Sequence, residues 1–192
     1  MTKPLRKVAV LLAGGASQRM RRDKASLEFD GKTLLTRGAD LLQSLVIENL
    51  IDEYVVSGPY PQAIEDDSPH LGPVGGIFSI IGALQLNIGD LLLAVPIDMP
   101  LLQKSHLETL IDFTLQNGRT CCYLKAWLPI CLVISPQLLE AMEKQKATKK
   151  GLSVRALLEL SKGDALPPDE SHDLVNTNTP EQWQKLIKEH NR

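Results

Sequence analysis

Aromatic residues are scarce in this 192-residue chain: three Phe, three Tyr and two Trp, 4% of the total. A core for a chain of this length must therefore be filled by Leu, Ile, Val and Ala. Cysteine is equally sparse. Cys121, Cys122 and Cys131 form no C-x-x-C or zinc-type spacing, which leaves buried strand thiols as the expectation. Excess charge of either sign is missing too: 21 Lys and Arg stand against 23 Asp and Glu, a formal −2. That balance offers no general attraction to nucleic acid or to an anionic membrane, and neither is expected as a partner. No apolar run approaches the roughly 20 residues a spanning helix needs. The longest are 8–13, 91–97 and the Gly-interrupted 74–84. Basic residues ahead of the first run faintly imitate a signal peptide. The run is short, however, and passes into Gly-Gly-Ala-Ser-Gln-Arg, which has the look of a functional stretch rather than a cleavage site, so a cytoplasmic protein is expected. His70, His106, His172 and His190 show no metal-type spacing.

What is present is an alternation of buried strands and helical stripes. Val8–Ala13 is a continuous apolar run closed by Gly14-Gly15, the pattern of a strand covered on both faces. Leu34 to Ile47 carries a helical stripe, Glu53–Ser57 reads as a short strand, Gly75 to Leu86 as a helix and Leu91–Val95 as another buried strand. Pro100 is expected to open a helix running to about Gln116. Thr120–Leu124 and Ile130–Ile134 follow as strands compatible with a hairpin, then helices over Pro136–Lys146 and Ser153–Leu160. A polar, Pro-rich loop is expected over 163–171, a strand over Asp173–Val175, and a last helix capped by Asn178-Thr179-Pro180-Glu181. This order implies an α/β fold of the Rossmann-like kind: one three-layer αβα domain over 1–192 with a mainly parallel sheet. Ligands of such sheets lie at the carboxyl ends of the strands, so residues after Ala13, Ser57 and Val95 should converge.

Three short segments at that edge could do chemistry. Gly14-Gly15 allows backbone N–H groups to approach phosphate oxygens, and Arg19 and Lys24 could offset the charge of a triphosphate. A steric strand-to-helix turn followed by a solvated basic face explains the same residues. Asp98, within Pro96-Ile97-Asp98-Met99-Pro100, could hold a divalent cation against phosphate. It could equally be the N-cap of the helix expected at Pro100. Asp66, within Ile64-Glu65-Asp66-Asp67, precedes the glycines at 72, 75 and 76, which suit either a close ligand approach or a plain turn.

Taken together and in this order, the segments resemble the molybdenum cofactor guanylyltransferase family. Its LAGG and RMG-x-DK pattern is met by Leu12-Ala13-Gly14-Gly15 and Arg19-Met20-Arg21-Arg22-Asp23-Lys24. Its aspartate before GPLAG is met by Asp66 and Gly72-Pro73-Val74-Gly75-Gly76, and its P-x-D-x-P by Pro96 to Pro100. Its SLRALL and NTPE are mirrored by Ser153 to Leu158 and Asn178 to Glu181. The resemblance implies the nucleotide-diphospho-sugar transferase type of fold, with a nucleotide-binding part over about 1–110 and an acceptor side over about 111–192. It implies GTP and molybdopterin as substrates, Mg²⁺ as cofactor, and cofactor-delivering or apo-molybdoenzyme proteins as partners. Leu12, Ala13, Gly14, Gly15, Asp66, Gly72 and Gly75 would line the nucleotide, Arg19 and Lys24 would hold phosphates, Asp98 would bind metal, and Arg155 and Asn178 would face the acceptor. LAGG, where related cytidylyltransferases carry LAAG, implies guanine; the physical expectation is that one methyl fewer at Gly14 leaves room for a larger base. Two departures stand out: Arg21 replaces the glycine of RMG, and the segment between Val56 and Asp66 is short. They keep two rivals open, a nucleotidyltransferase of the same fold with another acceptor (CTP with molybdopterin, or a sugar phosphate), and a nucleotide-binding protein without turnover.

Overall fold

Residues 4–14, 23–67, 71–168 and 174–190 are described by a computed structural model. The first strand, β1 (Lys7–Leu12), is buried from Val8 onward and sends alternate side chains to opposite faces of a six-stranded sheet. Ala9 and Leu11 join Leu93 and Val95 in one apolar layer, while Val8, Val10 and Leu12 join Leu92 and Ala94 in the other. A strand covered on both sides must be apolar at every position, which is why its sequence shows a run and not an alternation.

After β1 come a 3-10 turn (Lys24–Ser26), a small hairpin of β2 (Glu28–Phe29) and β3 (Lys32–Thr33), helix α1 (Leu34–Ile47), β4 (Glu53–Ser57), α2 (Pro73–Ala83) and β5 (Leu91–Pro96). Then follow α3 (Lys104–Asn117), β6 (Cys121–Tyr123), β7 (Ala126–Val133), α4 (Pro136–Thr148), α5 (Val154–Leu160), β8 (Asp164–Leu166) and α6 (Pro180–His190). The sheet order is β4-β1-β5-β7-β6-β8. Pairs β1–β4, β1–β5 and β6–β8 are parallel, whereas β7 runs antiparallel to both of its neighbours. The sheet is thus mainly parallel, with a single reversed strand. Buried residues of α1, α3 and α6 cover one face and those of α2, α4 and α5 the other. No helix among the described residues is long and apolar enough to cross a membrane. All three cysteines are free and buried in the sheet, and burial pushes the Cys131 thiol up to about 12, so it is protonated at neutral pH.

Several elements depart from the sequence expectation. Pro100 does not open α3, which starts at Lys104 with Gln103 as its N-cap. The backbone around Asp98 is engaged elsewhere: its carbonyl accepts from Thr177 N–H at 2.9 Å and Thr177 Oγ1 at 3.2 Å. Within the expected loop over 163–171, residues 164–166 form β8, parallel to β6, because an outer strand needs only one partner and tolerates Pro167-Pro168 at its end. Leu174 and Val175 are not in a strand, and Asp173 lies outside the described residues. Leu174 instead fills the core beside α6. The β2–β3 hairpin was not anticipated, although Asp30-Gly31, at φ 50° and 72°, is the Asp-Gly signal of a type I′ turn.

Leu93 is 1% exposed at the centre of the sheet and Ile47 is 71% exposed at the end of α1. Leu93→Ala is expected to cost about 2–5 kcal/mol through lost burial and a residual cavity. Ile47→Ala should stay within about 0.5 kcal/mol. Urea unfolding midpoints of the two variants check the contrast.

Candidate active site

Beyond the carboxyl ends of β1, β4 and β5, three distant stretches meet on one ammonium group. Lys24 Nζ donates to Asp98 Oδ2 at 2.7 Å and to Asn178 Oδ1 at 2.8 Å. The Lys24 and Asp98 side chains are only 17% and 16% exposed, so their attraction is less screened than that of a surface pair. Each member is held from behind. Asp23 Oδ1 accepts the N–H of Ala25 at 3.1 Å, capping the turn that presents Lys24. Thr177, 1% exposed, ties Asp98 to the chain entering α6. Gln182 Oε1 accepts the N–H of Asn178 at 2.7 Å.

A second cluster forms where β4 ends. Ala13 N–H donates to Ser57 O at 2.9 Å, and Gly58, at φ 144°, lies against Gly14. A Cβ at Gly58 would come 2.9 Å from Gly14 N, and one at Gly14 would come 3.3 Å from Gly58 Cα. Gly14 is therefore glycine because the β4 turn presses on it. The space that a methyl would take there faces Gly58, so the expected rationale of room for a larger base does not follow from this contact. Tyr60 closes the turn, and its hydroxyl donates to Asp23 Oδ1 at 2.8 Å. The turn over 58–63 then returns to the sheet through an isolated parallel bridge of Ile64 to Ser57. The short segment before Asp66 thus holds a tight turn and no helix of its own.

From that bridge the chain delivers Asp66 to the N-terminus of α2. Its carboxylate oxygens lie 3.5 Å from the ideal Cβ position of Gly75, and Oδ1 is 2.8 Å from Ser79 Oγ. The same hydroxyl reaches Gly75 O at 3.0 Å and accepts from Asp67 N–H at 3.0 Å. Burial pushes the Asp66 carboxyl above the usual carboxylate range, with the Ser79 hydrogen bond opposing it and the neighbouring Asp67 charge adding to it. Gly72, the residue before α2, has φ 73° and ψ −167°, a region open essentially to glycine alone.

Of the residues singled out from the sequence, Lys24, Asp98 and Asn178 are joined directly. Leu12, Ala13, Gly14, Asp66, Gly72 and Gly75 form the neighbouring rim. Leu12 O is taken by Ile97 N–H at 3.2 Å, which locks β1 to the Asp98 loop. Arg155 stands apart, paired with Glu159 at 2.9 Å and lying over the Trp127 ring at 5.8 Å. Gly15, Arg19 and Arg21 lie outside the described residues. Tyr60, Ser79 and Thr177 belong to the site and were not anticipated, since each acts through a partner remote in sequence. Asp98 is not a helix cap, as α3 begins six positions later.

Hard divalent cations take oxygen ligands, commonly one or two carboxylates completed by substrate phosphates. Asp98 and Asn178 offer such oxygens and already hold a cationic head between them, so the donor set fits a cation shared with a phosphate chain. No group of three His, Cys, Asp or Glu side chains converges among the described residues, which leaves phosphate and water to supply the rest. Lys24 beside Asp98 can exchange its carboxylate partner for phosphate oxygens.

Asp66→Asn removes a charge that burial disfavours. The variant should be more stable than the parent at neutral pH. The gap should close as pH falls through the raised carboxyl value towards 3.8, where the parent carboxyl protonates; thermal midpoints across pH 4–8 check this. Tyr60→Phe should cost about 1 kcal/mol, read by urea unfolding.

Residues 9–166 match the model of the MobA-like NTP transferase domain. A molybdenum cofactor guanylyltransferase of Xanthomonas euvesicatoria is 36% identical over 187 residues, 94% of each chain. Another, from Shewanella woodyi, is 31% identical over 197 residues, covering 96% of this chain and 97% of its own. Among solved structures, molybdopterin-guanine dinucleotide biosynthesis protein A of Archaeoglobus fulgidus superposes with a TM-score of 0.67 at 17% identity, covering 96% of this chain and 98% of that one. The 4-diphosphocytidyl-2C-methyl-D-erythritol synthase of Anaerococcus prevotii gives 0.70 at 15% identity, covering 98% and 97%. Identities that low speak for the fold alone. With a family match along most of its length and relatives above 30% identity along nearly all of it, the chain belongs to the MobA-like NTP transferase domain family.

Proposed function

We propose that this protein is a Mg²⁺-dependent guanylyltransferase that transfers GMP from GTP to molybdopterin. In this reaction an oxygen of the acceptor's terminal phosphate attacks the α-phosphorus, the bond to the β-phosphate oxygen breaks, and pyrophosphate leaves. The observation that carries the reading is the Lys24–Asp98–Asn178 cluster at the carboxyl edge of the sheet, in a chain whose curated relatives bear that activity's name over 94–97% of their length.

Phosphoryl and nucleotidyl transfer depend mainly on positioning and charge neutralisation. Lys24 holds the phosphate chain once it has left Asp98. Asp98 would hold Mg²⁺, which when bound neutralises charge on the phosphate oxygens, and Asn178, joined to the same ammonium, is assigned to the acceptor side. Asp66 and residues 72–75 seat the guanosine beside Leu12, Ala13 and Gly14, with Gly15 following in sequence. Arg19, from the same motif as Lys24, is assigned a second phosphate contact. Arg155 is assigned to the acceptor side. Nucleotide binding falls to about 1–110 and acceptor binding to about 111–192. Proteins that deliver molybdopterin or receive the product belong to the same reading as partners.

Asp98→Ala is expected to lower Mg²⁺-dependent pyrophosphate release from GTP and molybdopterin at least about a hundredfold, with an unchanged circular dichroism spectrum. Activity within a few fold of the parent would remove Asp98 from the reaction. In the same assay GTP should outperform CTP, and sugar phosphates should not replace molybdopterin. Tight GTP binding without turnover would favour a non-catalytic role.

A further inference from the structure

The loop that presents Asp98 is hydrogen-bonded along its length, yet one side of it faces a cleft. Ile97 N–H donates to Leu12 O, the Asp98 carbonyl accepts from Thr177, and Leu102 N–H closes on Met99 O at 3.1 Å. The cleft, of about 220 Å³, lies between this loop and α1. Val95, Ile97 and Met99 line it from one side and Leu34, Gly38 and Leu41 from the other, whereas Asp98 does not line it. Close packing cannot fix a backbone across such a gap, so a directed bond has to.

Arg37 supplies that bond. From α1 its Nη2 donates to Pro100 O at 3.0 Å, and both residues line the cleft. Pro100 is buried and precedes the N-cap of α3, so its carbonyl stands outside the helical ladder and needs a donor from elsewhere. The guanidinium is aimed by what surrounds it. Its carbon lies 4.8 Å from the centre of the Phe29 ring, which is 1% exposed, and Nη1 is 3.7 Å from Asp30 Oδ2. Phe29 is itself set against α6, with the Trp183 ring 6.1 Å and the His190 ring 4.6 Å from its own. The β2–β3 hairpin thus seats Arg37 on a ring that also meets α6, the helix whose entry carries Thr177 and Asn178. The long ion pair to Asp30 contributes little by itself. A planar guanidinium laid on a buried ring and aimed at a buried carbonyl is a strut.

We infer that Arg37 is a positioning residue for Asp98. Its bond to Pro100, two residues along the chain, sets how far the loop stands from α1 and so keeps the Asp98 carboxylate on the Lys24 ammonium. Thr177 restrains the same loop from the α6 side. Arg37 acts through the backbone and not on the cluster directly. The inference rests on the role given to Asp98 above.

The test labels the full-length protein with trace acetic anhydride and reads acetylation of Lys24 by peptide mass spectrometry, beside steady-state turnover of GTP and molybdopterin. In Arg37→Ala, Lys24 should react about fivefold faster as its ammonium loses a fixed carboxylate, while Lys104 and Lys146 keep their parent rates. In turnover, kcat should fall about tenfold or more, with the KM for GTP within a few fold of the parent. Arg37→Lys should recover most of both losses, since an ammonium can still donate to the carbonyl. Parent-like labelling of Lys24 in Arg37→Ala overturns the inference. An equal rise at all three lysines does so too, because it marks general loosening. Should Arg37→Ala not fold, Arg37→Gln, polar but too short for the carbonyl, is read by the same criteria. Absence of pyrophosphate release from the parent removes the guanylyltransferase reading instead, and Lys24 labelling still decides the role of Arg37.

Discussion

The ammonium of Lys24 ties together chain positions 74 and 154 residues away, at Asp98 and Asn178. A cationic head shared by two oxygens in a largely buried setting is costly to assemble unless every partner is itself held. The surroundings meet that condition, with the Asp23-capped turn under Lys24, Thr177 bonded to the Asp98 carbonyl, and Gln182 bonded to Asn178. The result is a charged centre whose geometry is fixed before substrate arrives, and whose positive member can change partner without moving the backbone that carries it.

The rim beside it is organised by close contact rather than by charge. Gly14 and Gly58 touch backbone to backbone, and Tyr60 spans from that contact to Asp23. The β4 turn therefore sets where β1 ends and where the Lys24 turn begins. A short 58–63 segment is an advantage in this arrangement, since a few residues bridged by Ile64 to Ser57 leave little slack. Asp66 adds a further carboxylate to this rim. It is buried enough to disfavour its own ionisation, and it sits at a helix N-terminus whose dipole favours the anion.

Local pattern made much of this legible in the sequence, and the limits have physical causes. β1, α1, β4 and β5 could be read because burial on two faces, or a helical stripe, leaves a periodic trace. Lys24 and Asp98 could be nominated because a Gly-rich turn and a proline-bracketed aspartate have restricted chemistry, whereas Asn178 came only from the family resemblance. Pro100 misled because proline suits a first helical turn, while the Asp98 carbonyl was claimed by Thr177, 79 residues away. β8 was hidden by its polar, proline-rich composition, which an outer strand tolerates. Leu174 was drawn into the core by α6, a tertiary effect with no local signature.

The reversal of β7 has a further consequence for how such an enzyme can change. Among the described residues, β4 and β5 leave this edge into the segments that carry Asp66 and Asp98. β6 and β7 meet there in a two-residue turn, Leu124-Lys125, with Leu124 52% exposed and Lys125 at φ 67°. Lengthening that turn adds chain at this edge and leaves the Gly14–Gly58 contact, Asp66 and Asp98 where they are. This edge can therefore gain chain at one hairpin without disturbing those residues, a freedom built into the direction of a single strand.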